Sequence, residues 1–127
     1  MKNRNDRPVL QPGPDHPITL TANDIAVSVK AGKNALASSA RAIELREHVY
    51  PPVLYVDRDG IDMSKLERSD HTSWCPYKGE ANYFHITLDN GSRLENAVWT
   101  YETPLEAVAA IQDRLGFYTD RVKVERV

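Results

Sequence analysis

A mainly β fold is what this sequence predicts, and three observations predict it. Apolar and polar residues alternate with a period of two through most of residues 18–127. An Asp-Asn-Gly tripeptide at residues 89–91 separates two such runs, a hairpin signal because Asn and Gly tolerate positive φ. Helix start and stop signals coincide at one place only, between Thr103 and Gly116. Many antiparallel strands with one late helix make a β-dominated single domain.

Each element can be justified in order. Residues 1–17 hold four of the eight prolines together with Asn, Asp and Gly, and predict an extended or disordered lead ahead of one domain at 18–127. In the next run Ile25, Val27 and Val29 share a face, with Ser28 and Lys30 on the other, and "KAGKN" predicts a turn. "ARAIELREHVY" puts Ile43, Leu45 and Val49 on one face and Glu44, Arg46 and His48 on the other. A helix competes over 38–48, where Ala, Leu, Glu and Arg are good helix formers. A strand is preferred because Ile43 and Leu45 lack strong i+3 and i+4 partners. The Pro51-Pro52 pair blocks helix, and Val53–Val56 make a short strand. "IDMSKLERSD" predicts a loop with one helical turn near Met63–Leu66. "YFHITL" and "SRLENAVWTYE" are the hairpin strands, for which a loop longer than two residues matches the apolar positions better. "TPLEAVAAIQDRLG" predicts a helix over 104–115, with Thr103 as N-cap, Pro104 at N1 and Glu106 at N3. Leu105, Val108, Ile111 and Leu115 would be its buried stripe. Val122–Val127 close the chain as a strand.

Composition narrows the function classes. The chain has 127 residues, enough for one domain with its own core. Its net charge of −2 argues against a broad nucleic-acid surface. No apolar run approaches the ~20 residues of a membrane helix, and the polar N-terminus lacks a signal peptide's apolar stretch. A single cysteine excludes an intrachain disulfide and a multi-cysteine zinc knuckle, so neither a structural metal nor another cofactor is expected. A reducing cytoplasm is the expected location.

The chemistry concentrates in "SDHTSWCPYKGEANYF", residues 69–84. Cys75 lies near His71 and Lys78 in sequence, and a cation or base beside it would activate the thiolate. The plainer reading makes Cys75 a small hydrophobe in a turn. Asp70 beside His71 could fix a tautomer for proton transfer, or simply cap a turn. A metal site on His71 and Cys75 would have to draw its other ligands from Asp70, Glu80 and His85, with no known ligand spacing. Lys78 in "PYKGE" would present its ammonium to a polar or anionic group, or pair with Glu80 in solvent. Tyr55, Tyr77, Trp99 and Tyr101 supply aromatic walls. Arg46 and Glu47 point to opposite faces of a strand, so one of them can line a cleft, and Arg46 is the one favoured, as an anion partner.

"YPPVLYV" at 50–56, "SDHTSWCPYKGEANYF" at 69–84, "ENAVWTYETP" at 95–104 and "FYTDRVKV" at 117–124 resemble the DUF427 family of small bacterial and fungal proteins. The resemblance runs from His16 to the C-terminus. That family also carries a nucleotidyltransferase-like label, but the paired carboxylates and Gly-Ser motif of such enzymes are absent here. The resemblance implies a Mss4-like, or β-tent, arrangement in which two antiparallel sheets lean together and ligands bind in the cleft between them. Related folds hold a structural zinc on two Cys-x-x-Cys knuckles, which one cysteine cannot build.

The function expected is binding of a polar or anionic small molecule, in a cleft between an irregular 69–80 loop and neighbouring aromatics. Asp70, His71, Tyr77, Lys78, Glu80, Arg46, Tyr55, Trp99 and Tyr101 are its candidate residues. One alternative is a thiol-dependent or acid/base enzyme using Cys75 and His71. The other is a protein-interaction module. No nucleic-acid or membrane partner is expected, and nothing in the sequence selects an oligomeric state.

Overall fold

The computed structural model describes residues 7–21 and 24–127. Its strands are β1 (Ile18–Leu20), β2 (Ile25–Ala31), β3 (Asn34–Glu47), β4 (Val53–Val56), β5 (Leu66–Cys75), β6 (Gly79–Thr87), β7 (Arg93–Thr100), β8 (Leu115–Phe117) and β9 (Lys123–Arg126). All pairings among the described residues are antiparallel, in the order β5-β6-β7-β8-β4-β3-β2-β9, with β1 beside β3. The predicted two sheets are therefore one by hydrogen bonding. The joint is thin, because β4 meets β8 through a single pair, Val56 with Leu115. On either side of it lie two leaves, β5-β6-β7-β8 and β4-β3-β2-β9.

Alternation along the strands sorts the side chains onto two faces. Phe84 and Val98, which are cross-strand partners, join Val27, Val29, Leu36 and Ile86 in one buried cluster. Their neighbours Tyr83 and Trp99, also partners, join Leu45, Tyr55 and Tyr101 in the other. The first cluster draws on both leaves and is the main core. The second is smaller and mostly aromatic.

The predicted 104–115 helix is instead a kinked 3₁₀ segment, Glu106–Ile111. The Leu105 N–H donates to the Lys78 carbonyl at 2.9 Å, so Leu105 stays extended and the segment starts without a side-chain cap. Val108 then leaves helical geometry at φ −124°. A 3₁₀ turn aligns residues three apart, and this turns Val108 and Ile111 together onto the aromatic cluster, both fully buried. Leu115 belongs to β8. The hairpin at 88–92 has the longer loop, with the Leu88 N–H donating to the Ser92 carbonyl at 2.8 Å. Among the described residues no helix is long and apolar enough to cross a membrane.

Residues 69–75 are strand rather than irregular loop. The ladder to β6 is interrupted between Arg68 and Thr72, and this bulge absorbs Ser69, Asp70 and His71. A matching irregularity sits between β6 and β7, where Asn96 has φ 51° and donates its N–H to His85 Nδ1 at 2.9 Å. Ser69 bonds Asn96 across the two, at 2.5 Å. Of the polar residues in the predicted loop, Asp70 and His71 are thus carried by a bulge, Lys78 by the β5–β6 turn and Glu80 by β6 itself.

Candidate functional site

The site begins at the turn between β5 and β6. Cys75 pairs with Gly79, and the Lys78 N–H closes the turn on the Cys75 carbonyl at 3.2 Å. Gly79 has φ +108°, a conformation L side chains rarely adopt. The turn tucks the Lys78 side chain inward until it is 9% exposed. An ammonium so far out of water needs an opposite charge, and Glu47 at the end of β3 supplies it in a direct ion pair. Lys78 Nζ also lies 3.8 Å from Cys75 Sγ.

Glu47, rather than Arg46, is the cleft residue of its strand. Ile43 and Leu45 define the inward face, and Glu47 continues their parity. Arg46 turns to the other face and pairs with Glu44 at 2.9 Å. Burial pushes the Glu47 carboxyl up, but hydrogen bonds from Lys78 and His16 outweigh it and hold the pKa below the usual range. His16 donates its Nε2–H at 2.7 Å. Its ring stacks on Tyr77, with centroids 4.0 Å apart and planes within 2°.

His16 is delivered by the lead. Residues 7–17 cross the β5–β6 turn: Trp74 Nε1 donates to the Pro8 carbonyl at 2.8 Å, and the Leu10 N–H to the Pro76 carbonyl at 3.0 Å. Arg7 lies over the Trp74 ring at 4.8 Å and reaches Glu80 at 3.5 Å. The chain enters β1 after Pro17, whose carbonyl accepts from the His48 N–H at 2.8 Å. Residues 1–6 of the predicted lead lie outside the described residues.

Above the Lys78–Glu47 pair a cavity of about 190 Å³ opens. Its walls include Tyr55 and Trp99, edge to face at 89° with Trp99 Nε1 donating to the Tyr55 hydroxyl at 3.2 Å. Tyr50, Tyr83, Tyr101 and Tyr118 complete the aromatic wall. Trp99 can lie flat only because residue 116 is glycine, since a Cβ there would stand 2.5 Å from the indole. Burial pushes the Tyr55 and Tyr101 phenols far above their ordinary values. Burial and the hydrogen bond to Tyr83 push Tyr118 up to about 12. Tyr55, Tyr101 and Tyr118 are therefore uncharged at neutral pH and offer phenol hydroxyls.

Of the residues the sequence singled out, Lys78, Tyr55, Trp99 and Tyr101 line this cavity together. Tyr77 acts one step back, through His16. His71 is exposed, and its ring packs on Tyr83 at 4.5 Å. Asp70 is exposed within the bulge, and Glu80 turns to Arg7. Cys75 packs at the rim of the aromatic cluster, behind Lys78 and outside the cavity lining. His71 and Cys75 thus have different neighbours, Tyr83 and Lys78. Glu47, His16, Tyr50, Tyr83 and Tyr118 were missed. Parity with Leu45 was the available signal for Glu47, and no local signal marks His16.

A family model described as a domain of unknown function, DUF427, matches residues 19–127. The chain belongs to the DUF427 family. A comparison with curated proteins found no match. The match to the DUF427 model begins after His16, so the imidazole that braces Glu47 comes from outside the matched segment.

Proposed function

We propose that this DUF427 domain binds a small polar molecule in the cavity above Lys78 and Glu47. The observation that carries the reading is a buried donor–acceptor pair at the floor of an aromatic-walled cavity. Ligand sites combine mostly apolar walls with a few placed polar groups, and this cavity has that make-up. Lys78 has N–H groups to offer a carbonyl or similar acceptor, and Glu47 can accept from an N–H or O–H beside it. Because Glu47 already neutralises Lys78, an uncharged head group suits the floor better than an anion. The thin β4–β8 joint supports reading the two leaves as the two leaning sheets of a β-tent, with the cleft between them. A cytoplasmic small molecule remains the ligand proposed.

Benzamide is a minimal probe, since its ring fits between the walls and its amide carries both an acceptor and a donor. In an NMR titration benzamide should shift the Trp99 indole resonance of the wild type, and Lys78→Met should abolish the response. Benzoate should bind more weakly than benzamide. An unmoved Trp99 resonance, or a Lys78→Met protein that responds like wild type, would sink the reading.

A further inference from the structure

A second cavity of about 420 Å³ adjoins the first. The two share Tyr50, Pro51, Val53, Trp99 and Tyr118, so they lie side by side around the same side chains. The joint of the two leaves explains it. Beyond the single Val56–Leu115 pair, β4 and β8 part company. β4 runs back to Pro51 and Pro52, which carry no N–H to extend a ladder. The chain after β8 stays beside β7 instead, the Tyr118 N–H donating to the Ala97 carbonyl at 3.1 Å. Val53 and Leu54, which a continuous sheet would hold on opposite faces, both line the opening. Phe117 and Val124 close its far side, and no charged side chain lines it.

The inner compartment alone is small. A cavity of about 150 Å³ accommodates benzene, so 190 Å³ takes one substituted ring. Ligand sites usually run from about 300 to 1,000 Å³, a range reached only when the groove is included. The two differ in chemistry as well as depth: an ion pair floors one, while proline, aromatic and aliphatic surface lines the other.

We propose that the groove is a second subsite, holding a flat apolar arm of the same molecule whose polar head meets Lys78 and Glu47. The ligand class is then an amphipathic compound in which a single polar ring carries an aromatic or similarly flat apolar substituent. This rests on the inner compartment being a ligand site, as proposed above.

Two probes separate the two ideas: benzamide, which is the head alone, and 4-benzylbenzamide, which adds an apolar ring. Calorimetric titration of the full chain should give at least tenfold tighter binding for 4-benzylbenzamide. Thr119 is exposed at the groove, so Thr119→Arg places a charged side chain there without touching the core. That variant should lose the tenfold gain and bind benzamide as wild type does. Benzamide binding without any gain from the added ring would overturn the subsite and leave the inner site standing. A gain that survives Thr119→Arg would also overturn it. Failure of both probes to bind would overturn the inner site and the subsite together.

Discussion

At the scale of single residues, Glu47 is the pivot of the site. It satisfies a buried ammonium on one side and an imidazole on the other. Removing one partner of a buried pair costs about 3–5 kcal/mol, because the other charge is left without compensation. Glu47→Gln should therefore lower stability by about 3 kcal/mol at pH 7, as read by urea denaturation. The pH dependence has a definite sign. The folded pKa of Glu47 is depressed, so its contribution is present above the unfolded value of about 4.3. It is lost as pH falls through the lower folded value. The stability gap between wild type and Glu47→Gln should accordingly narrow below pH 4. A gap of constant size down to pH 2 would show that the ion pair does not stabilise the fold. The preference for Arg46 came from weighing charge over parity. The alternation of Ile43 and Leu45 already placed Glu47 on the inward face.

At the scale of elements, the lead behaves as a strap and the 104–115 segment as a plug. Both outcomes depend on partners distant in sequence. The capping box at Thr103–Glu106 is a local preference worth about 1 kcal/mol. Docking of Leu105 on the Lys78 carbonyl, with full burial of Val108 and Ile111, outweighs it. Four prolines predicted an extended or disordered lead; residues 7–17 cross the β5–β6 turn and make a tight turn of their own at Gly13–His16, and what they are tied to was invisible without the β5–β6 turn. His16→Phe keeps a ring to stack on Tyr77 and removes the bond to Glu47. A hydrogen bond to a charged group contributes about 1.5–3 kcal/mol, and a loss in that range is expected for this variant. His16→Ala should lose more, because the stacking goes as well. A His16→Phe protein as stable as wild type in urea would mean that the strap does not brace the site.

At the scale of the whole molecule, two leaves share one pair of ladder residues and one core. Val27, Val29 and Leu36 from one leaf pack in the same cluster as Phe84, Val98 and Ile86 from the other. Neither leaf keeps its apolar face dry alone, so the domain should unfold in one cooperative step. Far-UV circular dichroism follows all the strands, and tryptophan fluorescence follows Trp74 and Trp99, both on the β5–β8 leaf. Their thermal transitions should coincide. Two separated transitions would show that the leaves are independent units.

The sequence by itself determined the family, the hairpin loop and most of the strands, though not β5 or β8, because alternation, Asn-Gly turns and proline act within a few residues. It also grouped Lys78, Tyr55, Trp99 and Tyr101 in one cleft, together with Asp70, His71, Tyr77, Glu80 and Arg46, which do not line the cavity. Only the tertiary structure decided the counter-charge of Lys78. Glu47 and His16 lie 31 residues from their partners, Lys78 and Glu47 respectively, and such pairings follow from sheet order rather than from local pattern. The tertiary structure also decided that the sheet nearly parts at Val56 and Leu115. Strand propensity fixes where a chain is extended, but which edges meet, and for how many residues, is settled by how two leaves close over a common core.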